Sequence, residues 1–254
     1  MALVNDILAK IEQLAPKSLA EDFDNVGLLL GRGDRQVKKI MVMLDLDKRT
    51  INEAIEARVD LVITHHPIIF SPLKSVTDDR LLTLIENNIS VISAHTNLDS
   101  APGGVNDVLA ELLGLKNIVS INVISDSPLC AKAGDIDKCS FGELIRLVKE
   151  KLNIKTVRYI GDLSKQVSKV AVLGGSGGDF VAVIKENGYD AYITADIKYH
   201  QAQFADDVDL CVIDAGHFET ENPVCRKLKE YLEAEFSDIE VVLSSRKESY
   251  IKYE

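Results

Sequence analysis

The sequence predicts an α/β protein made of two similar halves, and three features of the chain support this prediction. Short apolar runs of strand length alternate with stretches of helical periodicity. The same alternation then begins again in the second half. Two segments are also alike: Asp60-Leu-Val-Ile-Thr64 precedes His65-His66, and Asp190-Ala-Tyr-Ile-Thr194 precedes Ala195-Asp196. We interpret this likeness as an internal duplication.

The first half opens with an amphipathic helix and continues as alternating strands and helices. Leu3, Ile7, Ile11 and Leu14 recur at helical spacing, and Pro16 ends the pattern. The other elements predicted here are strands at 26–30, 40–46, 61–64 and 89–94 and helices at 49–57, 81–86 and 105–113. Helical connections of this length predict a largely parallel sheet.

The second half repeats the pattern. Its predicted elements are helices at 141–152, 180–186, 199–205 and 224–236 and strands at 170–173, 191–194, 210–213 and 239–243. Periodicity is weaker between about 115 and 140, so we expect the domain boundary there. The predicted domains are residues 1–125 and 126–254.

Composition excludes several classes of protein. The 254 residues include 29 Lys and Arg against 40 Asp and Glu, and the formal net charge of -11 makes nucleic acid an unfavourable partner. The chain has neither a leader pattern nor an apolar run near about 18 residues, which predicts a cytoplasmic protein that does not span a membrane. Cys130, Cys139, Cys211 and Cys225 lack C-x-x-C spacing, so reduced thiols are expected rather than a structural zinc site.

The histidines follow apolar strands, and this placement is the main functional signal. His65 and His66 follow the strand at 61–64, and Pro67 favours an extended conformation for His66. Strand alternation would then turn the two imidazoles to opposite sides, toward two different ions. Polar residues at the carboxyl ends of strands converge in open α/β sheets even when they are distant in sequence.

Two further strand ends carry a histidine and a carboxylate. His95 and Asp99 follow the strand at 89–94, although Asp99 could instead cap the helix at 105. His217 and Glu221 follow the strand at 210–213, at a spacing that shares one face if a helix begins there. This mixed nitrogen and oxygen set suits Zn, Mn, Fe, Co or Ni. Two such ions would activate water for hydrolysis.

The glycine-rich string Gly174-Gly-Ser-Gly-Gly178 allows two interpretations. Backbone N–H groups at a helix start attract anions, but the string matches neither phosphate-loop pattern. A tight turn from strand to helix is the favoured interpretation. Ser176 lacks the flanking pattern of a hydrolase nucleophile.

Several of these motifs together resemble a known family. They are Glu21-Asp-Phe-Asp-Asn-Val-Gly-Leu28, Thr64-His-His-Pro-Ile68, His95-Thr-Asn-Leu-Asp99, Tyr199-His200 and Asp214-Ala-Gly-His-Phe-Glu-Thr-Glu221. The chain thereby resembles the NIF-three-like dinuclear metal-centre proteins, also called GTP cyclohydrolase 1 type 2 homologues. The resemblance implies two α/β domains, a metal pair in the cleft between them, and a ring-shaped homohexamer, or toroid.

The resemblance also implies roles for individual residues. His65, His66, Asp99, His217 and Glu221 would ligate two divalent ions per chain, and His95 and His200 would lie beside the ions as proton-transfer groups. The implied activity is hydrolysis of a small molecule, a nucleotide or phosphoester. A non-catalytic, metal-dependent binding or regulatory scaffold is the alternative. The family often has Trp where this chain has Phe23, and Asp24 and Asn25 either frame the cavity or form a turn.

Overall fold

The computed structural model describes residues 2–252, which contacts divide into two compact units. The first unit comprises the chain up to Gly104 together with Val224–Lys247. The second comprises Val105–Pro223 and the described residues from Glu248 onward. The α/β fold class is confirmed. The predicted domains 1–125 and 126–254 stay a prediction, and by contacts residues 105–125 belong to the second unit and 224–247 to the first.

Strands and helices alternate through most of the described chain. The strands of residues 2–252 are β1 (Ala2–Leu3), β2 (Gly27–Leu30), β3 (Gln36–Val37), β4 (Lys39–Met43), β5 (Leu61–Thr64), β6 (Ser90–Ser93), β7 (Lys116–Asn122), β8 (Cys130–Ser140), β9 (Arg158–Ile160), β10 (Gln166–Ser176), β11 (Ala191–Ala195), β12 (Cys211–Asp214) and β13 (Glu240–Leu243).

The helices surround these strands. In the same residues the α-helices are α1 (Val4–Leu14), α2 (Lys48–Glu56), α3 (Asp79–Glu86), α4 (Thr96–Ser100), α5 (Val105–Leu112), α6 (Phe141–Lys151), α7 (Val181–Glu186), α8 (Tyr199–Asp207), α9 (His217–Glu221) and α10 (Pro223–Glu235), with 3-10 turns at Lys17–Leu19 and Gly178–Phe180. None of the helices in the described part of the chain has the length and apolar character needed to cross a membrane.

The first unit is built on a mainly parallel sheet. Its strands lie in the order β13-β4-β5-β6-β2, and only the edge strand β2 runs antiparallel to its neighbour among these described strands. Met41 and Val62 on one face of the sheet pack with Ile51 of α2 and Leu84 of α3. Because β4, β5 and β6 are parallel, their carboxyl ends share one edge of the sheet.

The second unit is a sheet covered by helices on both faces. Its strands lie in the order β7-β8-β10-β11-β12-β9, with β10, β11 and β12 parallel. Val170 and Ile193 belong to the cluster that contains α5 and α6 residues, whereas Ala171 and Tyr192 belong to the cluster that contains α7 and α8 residues. Neighbouring residues of each strand therefore serve opposite layers of the core.

The segment between 115 and 140 is more regular than its sequence indicates. It forms β7 and most of β8, which pair antiparallel with each other, and β8 also pairs antiparallel with β10. Most of β7 is exposed, and β8 interleaves charged residues with small ones. Their hydrophobic periodicity is weak for this reason, and the largely parallel sheet predicted for this half is in fact mixed.

Candidate metal centre

The end of β5 places two imidazole rings side by side. β5 stops at Thr64, and the backbone N–H groups of His65 and His66 then donate to the carbonyls of Met43 (3.2 Å) and Leu44 (3.0 Å). The ring centroids lie 4.9 Å apart with planes tilted by 46°. The predicted turn of these rings to opposite sides is wrong, because both residues lie beyond the regular strand.

Each of these rings is oriented through its Nδ1 atom. His65 is fully buried, and its Nδ1 lies 2.9 Å from the carbonyl oxygen of Ala94, which can only accept. His66 Nδ1 lies 2.7 Å from the carboxylate of Asp45, which follows β4. Nδ1 therefore carries the hydrogen in both rings, and Nε2 is the ligand atom that each presents.

A third histidine of this unit joins them at the end of β6. His95 precedes α4, and ligand atoms of His65, His66 and His95 all lie within 4.8 Å of one another. His95 Nδ1 donates to Asp24 at 2.8 Å. Burial alone would raise the pKa of Asp24, but hydrogen bonds from His95 and Thr96 lower it to about 2. Asp24 is thus a carboxylate at neutral pH and fixes the His95 ring.

Asp99 lies inside α4, one helical turn after His95. Its Oδ1 is 3.6 Å from Nε2 of His65. α4 ends at Ser100 before α5 begins at Val105, and the alternative role of Asp99 as a cap of the later helix stays a prediction. The first unit thus gathers three imidazoles and one carboxylate at the carboxyl ends of β5 and β6.

The second unit presents a histidine and a carboxylate from α9. This helix begins at His217, as the spacing predicts, and Nε2 of His217 is 3.1 Å from Oε2 of Glu221. His217 Nδ1 lies 2.7 Å from Asp196, a residue that follows β11 with a positive φ of 55°. Burial would lower the pKa of His217, but Glu221 and then Asp196 outweigh it and raise the pKa to about 9.

The glycine-rich string lets the backbone approach Glu221 closely. Gly175 has φ +67°, and a Cβ there would lie 2.1 Å from Oε1 of Glu221. The N–H groups of Gly174 and Gly175 donate to Asn106 (2.8 Å) and Thr220 (3.0 Å). β10 runs to Ser176 before a short 3-10 turn. Because these amides already have acceptors, the structure favours the turn over the phosphate loop.

A buried carboxylate fixes the loop that carries Asp196. Asp214 ends β12, is 3% exposed, and accepts hydrogen bonds from Arg158 and from the N–H of Ile197 (3.0 Å). Ile197 directly follows Asp196. Asp214 therefore holds the partner of His217 in place from the neighbouring strand.

His200 is the remaining one of the five histidines of the sequence and does not belong to these clusters. It is exposed in the first turn of α8, next to Tyr199, with ring centroids 5.5 Å apart. Within residues 2–252 the clusters of ligand atoms closer than 4.8 Å do not include it. Its proton-transfer role stays a prediction without a contact to support it.

Sequence reasoning missed two carboxylates that orient histidines, Asp45 and Asp196, and left the role of a third, Asp24, open. Asp45 and Asp196 hold His66 and His217, and Asp24 holds His95. Asp45 and Asp196 follow strands β4 and β11, and this position was the available signal. Metal-ligating histidines characteristically donate their other ring N–H to a carboxylate or carbonyl. The nitrogen and oxygen donors present in each unit therefore fit Zn, Fe, Mn, Co or Ni.

The chain is similar over nearly its whole length to proteins of one family. Residues 2–249 match the family model described as Duf34/NIF3 (NGG1p interacting factor 3). A Clostridium perfringens protein named GTP cyclohydrolase 1 type 2 homolog is 39% identical over 253 residues, covering 95% of this chain and 95% of that protein.

Solved structures show the same likeness. A Bacillus cereus protein related to NIF3 superposes with a TM-score of 0.92 at 23% identity, covering 100% of this chain and 99% of that one, and it bears on the fold alone. Reduced HcgD from Methanocaldococcus jannaschii superposes with a TM-score of 0.84 at 33% identity, covering 96% and 98% of the two chains. Sequence and fold therefore point to the same group of proteins.

Proposed function

The chain belongs to the Duf34/NIF3 family, and on that premise we propose that it is a metal-dependent hydrolase. In this proposal two divalent ions per chain are held by His65, His66, Asp99, His217 and Glu221. The observation that carries it is shared by both units. Every candidate histidine at a strand end has Nδ1 occupied by an oxygen and presents Nε2.

Bound divalent ions would lower the pKa of water and stabilise negative charge that develops on the substrate. The chain supplies the positioning. Asp45 and Asp196 hold the rings of His66 and His217, and the buried His65 is fixed by a backbone carbonyl. Their rotation is restricted before any ion arrives, which reduces the entropy lost on binding.

His95 is our candidate for proton transfer. Its ring lies 5.2 Å from that of His65 and 5.5 Å from that of His66. Asp24 stays ionised through the neutral range because its pKa is about 2, so it accepts the Nδ1 hydrogen of His95 and leaves Nε2 as the atom that exchanges a proton. The proposal also assigns proton transfer to His200, which lies in α8.

The proposed substrate is a small molecule of the nucleotide or phosphoester class. The Clostridium perfringens relative is named as a GTP cyclohydrolase 1 type 2 homolog, and that name is the support for a nucleotide. The residues described here contain no feature that selects guanine over other bases. The toroidal homohexamer and the cytoplasmic location belong to the same proposal.

Metal analysis and single substitutions test the assignment. We expect purified protein reconstituted with Zn, Mn or Fe to hold about two ions per chain. His66→Ala and Glu221→Ala should each lower metal content and abolish turnover of a nucleotide and phosphoester panel. Glu230→Ala, which breaks an exposed pair with Arg226 on α10, is the control that should change neither.

Two outcomes would contradict the proposal in different ways. Full metal content in both variants would remove His66 and Glu221 from the ligand set. Two ions per chain without turnover of any panel member, under every candidate metal, would instead favour the non-catalytic scaffold.

A further inference from the structure

Two phenylalanine rings are exposed beside the histidine cluster of the first unit. Phe23 is 65% exposed and Phe70 is 49% exposed. Their ring centroids are 6.2 Å apart with planes inclined by 41°, and Phe70 lies 6.4 Å from His95 at 75°. Two large apolar faces are therefore open to solvent next to the group proposed for proton transfer.

Hydrogen bonds hold the loops that carry these two rings beside the histidine cluster. Phe23 lies in a tight turn closed by the N–H of Asp24 donating to the carbonyl of Glu21 at 2.9 Å. The N–H of Glu21 donates to Thr96 at the start of α4, at 3.0 Å. Asn25 Nδ2 donates to the carbonyl of Ile69, the residue before Phe70, at 2.6 Å. The two rings are thereby held next to each other without being buried.

We propose that Phe23 and Phe70 form an aromatic platform that stacks against the planar heterocycle of a small-molecule substrate beside His95. This inference rests on the proposed function, since it names the residues that would receive the ring of a nucleotide-class substrate. Aromatic side chains stack on any base because every base has a π face. His95, whose side chain is 18% exposed and is held from behind by the buried Asp24, offers a polar group to the edge of such a ring.

The size of the patch favours a ring over a protein partner. A stable protein interface buries more than about 1,000 Å², whereas two aromatic side chains bury about 150–250 Å² each. Leu73 and Val76 are also exposed further along the same segment. These residues enlarge the exposed apolar surface, so the experiment below also tests whether a second copy of the chain covers Phe23 and Phe70.

A single tryptophan can report on the platform, since the chain contains no Trp. In Phe23→Trp we expect guanosine and adenosine to quench the fluorescence saturably and ribose 5-phosphate to leave it unchanged. Phe204→Trp is the matched control, because Phe204 is an exposed ring on α8 of the second unit. Its fluorescence should respond to none of these probes.

Adding Phe70→Ala to Phe23→Trp should weaken nucleoside binding by about 5-fold to about 100-fold. Metal content should stay at the level of the unmodified chain, which separates loss of the platform from loss of the metal site. Adding Phe70→Tyr should largely restore nucleoside binding, because it retains an aromatic face.

Three results would overturn the platform. One is absence of saturable quenching in Phe23→Trp, another is equal quenching in Phe204→Trp. The third is a fluorescence spectrum of Phe23→Trp that shifts with protein concentration and does not respond to nucleoside. That result would mean that a second copy of the chain covers the two rings. Quenching in a protein that hydrolyses nothing would support the platform while contradicting the proposed hydrolase.

Discussion

The two units contain the same arrangement of strands but different chemistry at the strand ends. In the first unit β4, β5 and β6 are parallel and β2 pairs antiparallel with β6. In the second, β10, β11 and β12 are parallel and β9 pairs antiparallel with β12. The chain order of these strands is also the same. This correspondence supports the internal duplication.

Even one loop contact is repeated. Asp60 accepts from the N–H groups of Lys38 and Lys39 at 2.8 and 3.1 Å. Asp190 accepts from those of Ser168 and Lys169 at 2.8 and 2.9 Å. Both aspartates lie just before the second parallel strand, so the likeness of the two sequence segments has a physical basis.

The strand ends then diverge. After β5 the chain has His65-His66, and at the corresponding place in the second unit it has Ala195-Asp196. Both third strands lead into a His-x-x-x-carboxylate helix, His95 to Asp99 and His217 to Glu221. The scaffold thus fixes where functional groups stand, while the residue types decide whether they are ligands or the partners that orient ligands.

The largest effect should come from Gly175→Ala. A Cβ at Gly175 would overlap the carboxylate of Glu221, so metal affinity should fall about 100-fold or more. This fall is larger than the one expected when a histidine loses the carboxylate that orients it. Gly188→Ala is the control, since Gly188 has a similar φ of +77° but open space around its Cβ position. Both variants should lose about 1–2 kcal/mol of unfolding free energy, as measured by denaturant titration. Unchanged metal affinity in Gly175→Ala would reject Glu221 as a ligand.

Asp45→Asn and Asp196→Asn compare the orienting carboxylates of the two units. Each substitution should weaken metal binding by about 10-fold to about 100-fold, because a neutral amide is a weaker acceptor and its NH2 group can donate to Nδ1, so the tautomer is no longer fixed. Calorimetric titration with zinc measures both. Asp137→Asn, at a side chain 94% exposed, should leave affinity unchanged. If only one of the two substitutions weakens zinc binding, the zinc is held by the unit that contains that aspartate.

The smallest effect on the site should come from Asp60→Ala and Asp190→Ala. Each removes the acceptor of two backbone N–H groups, so each should lower the unfolding free energy by about 1–3 kcal/mol with metal affinity retained. A large difference between the two values would show that the repeated contact has lost its equivalence.

The contribution of Asp190 should also depend on pH. Burial would raise the pKa of Asp190, but hydrogen bonds from the N–H groups of Lys169 and Ser168 hold it below 3.8. Because the folded value is depressed, the stabilisation is full above 3.8 and is lost as the pH falls through the folded value. Urea titrations from about pH 6 to about pH 3 should therefore show the unmodified chain and Asp190→Ala converging.

Much of the α/β core follows from periodicity, whereas the partners of the histidines do not. The strands β5, β6, β11 and β12 are mostly apolar and buried at every residue, and the histidines that follow β5, β6 and β12 mark the relevant edge. Asp24, Asp45 and Asp196 are three of 40 acidic residues, and neither a position after a strand nor a motif identifies the histidine that each of them orients. β7 and β8 escaped prediction because they pair antiparallel with little apolar alternation. Tertiary pairing rather than local sequence determines these features.

The edge strand β13 constrains the order in which the protein can be completed during synthesis. It joins the first sheet in parallel beside β4, with Val241 opposite Ile40, although about 200 residues separate the two partners. A ribosome therefore releases Val105–Pro223, the main part of the second unit, before β13 can cover the flank of β4. Loop closure over such a distance is slow compared with local contacts. A nascent chain carries an open sheet edge throughout that interval, when it is most vulnerable to pairing with another nascent chain.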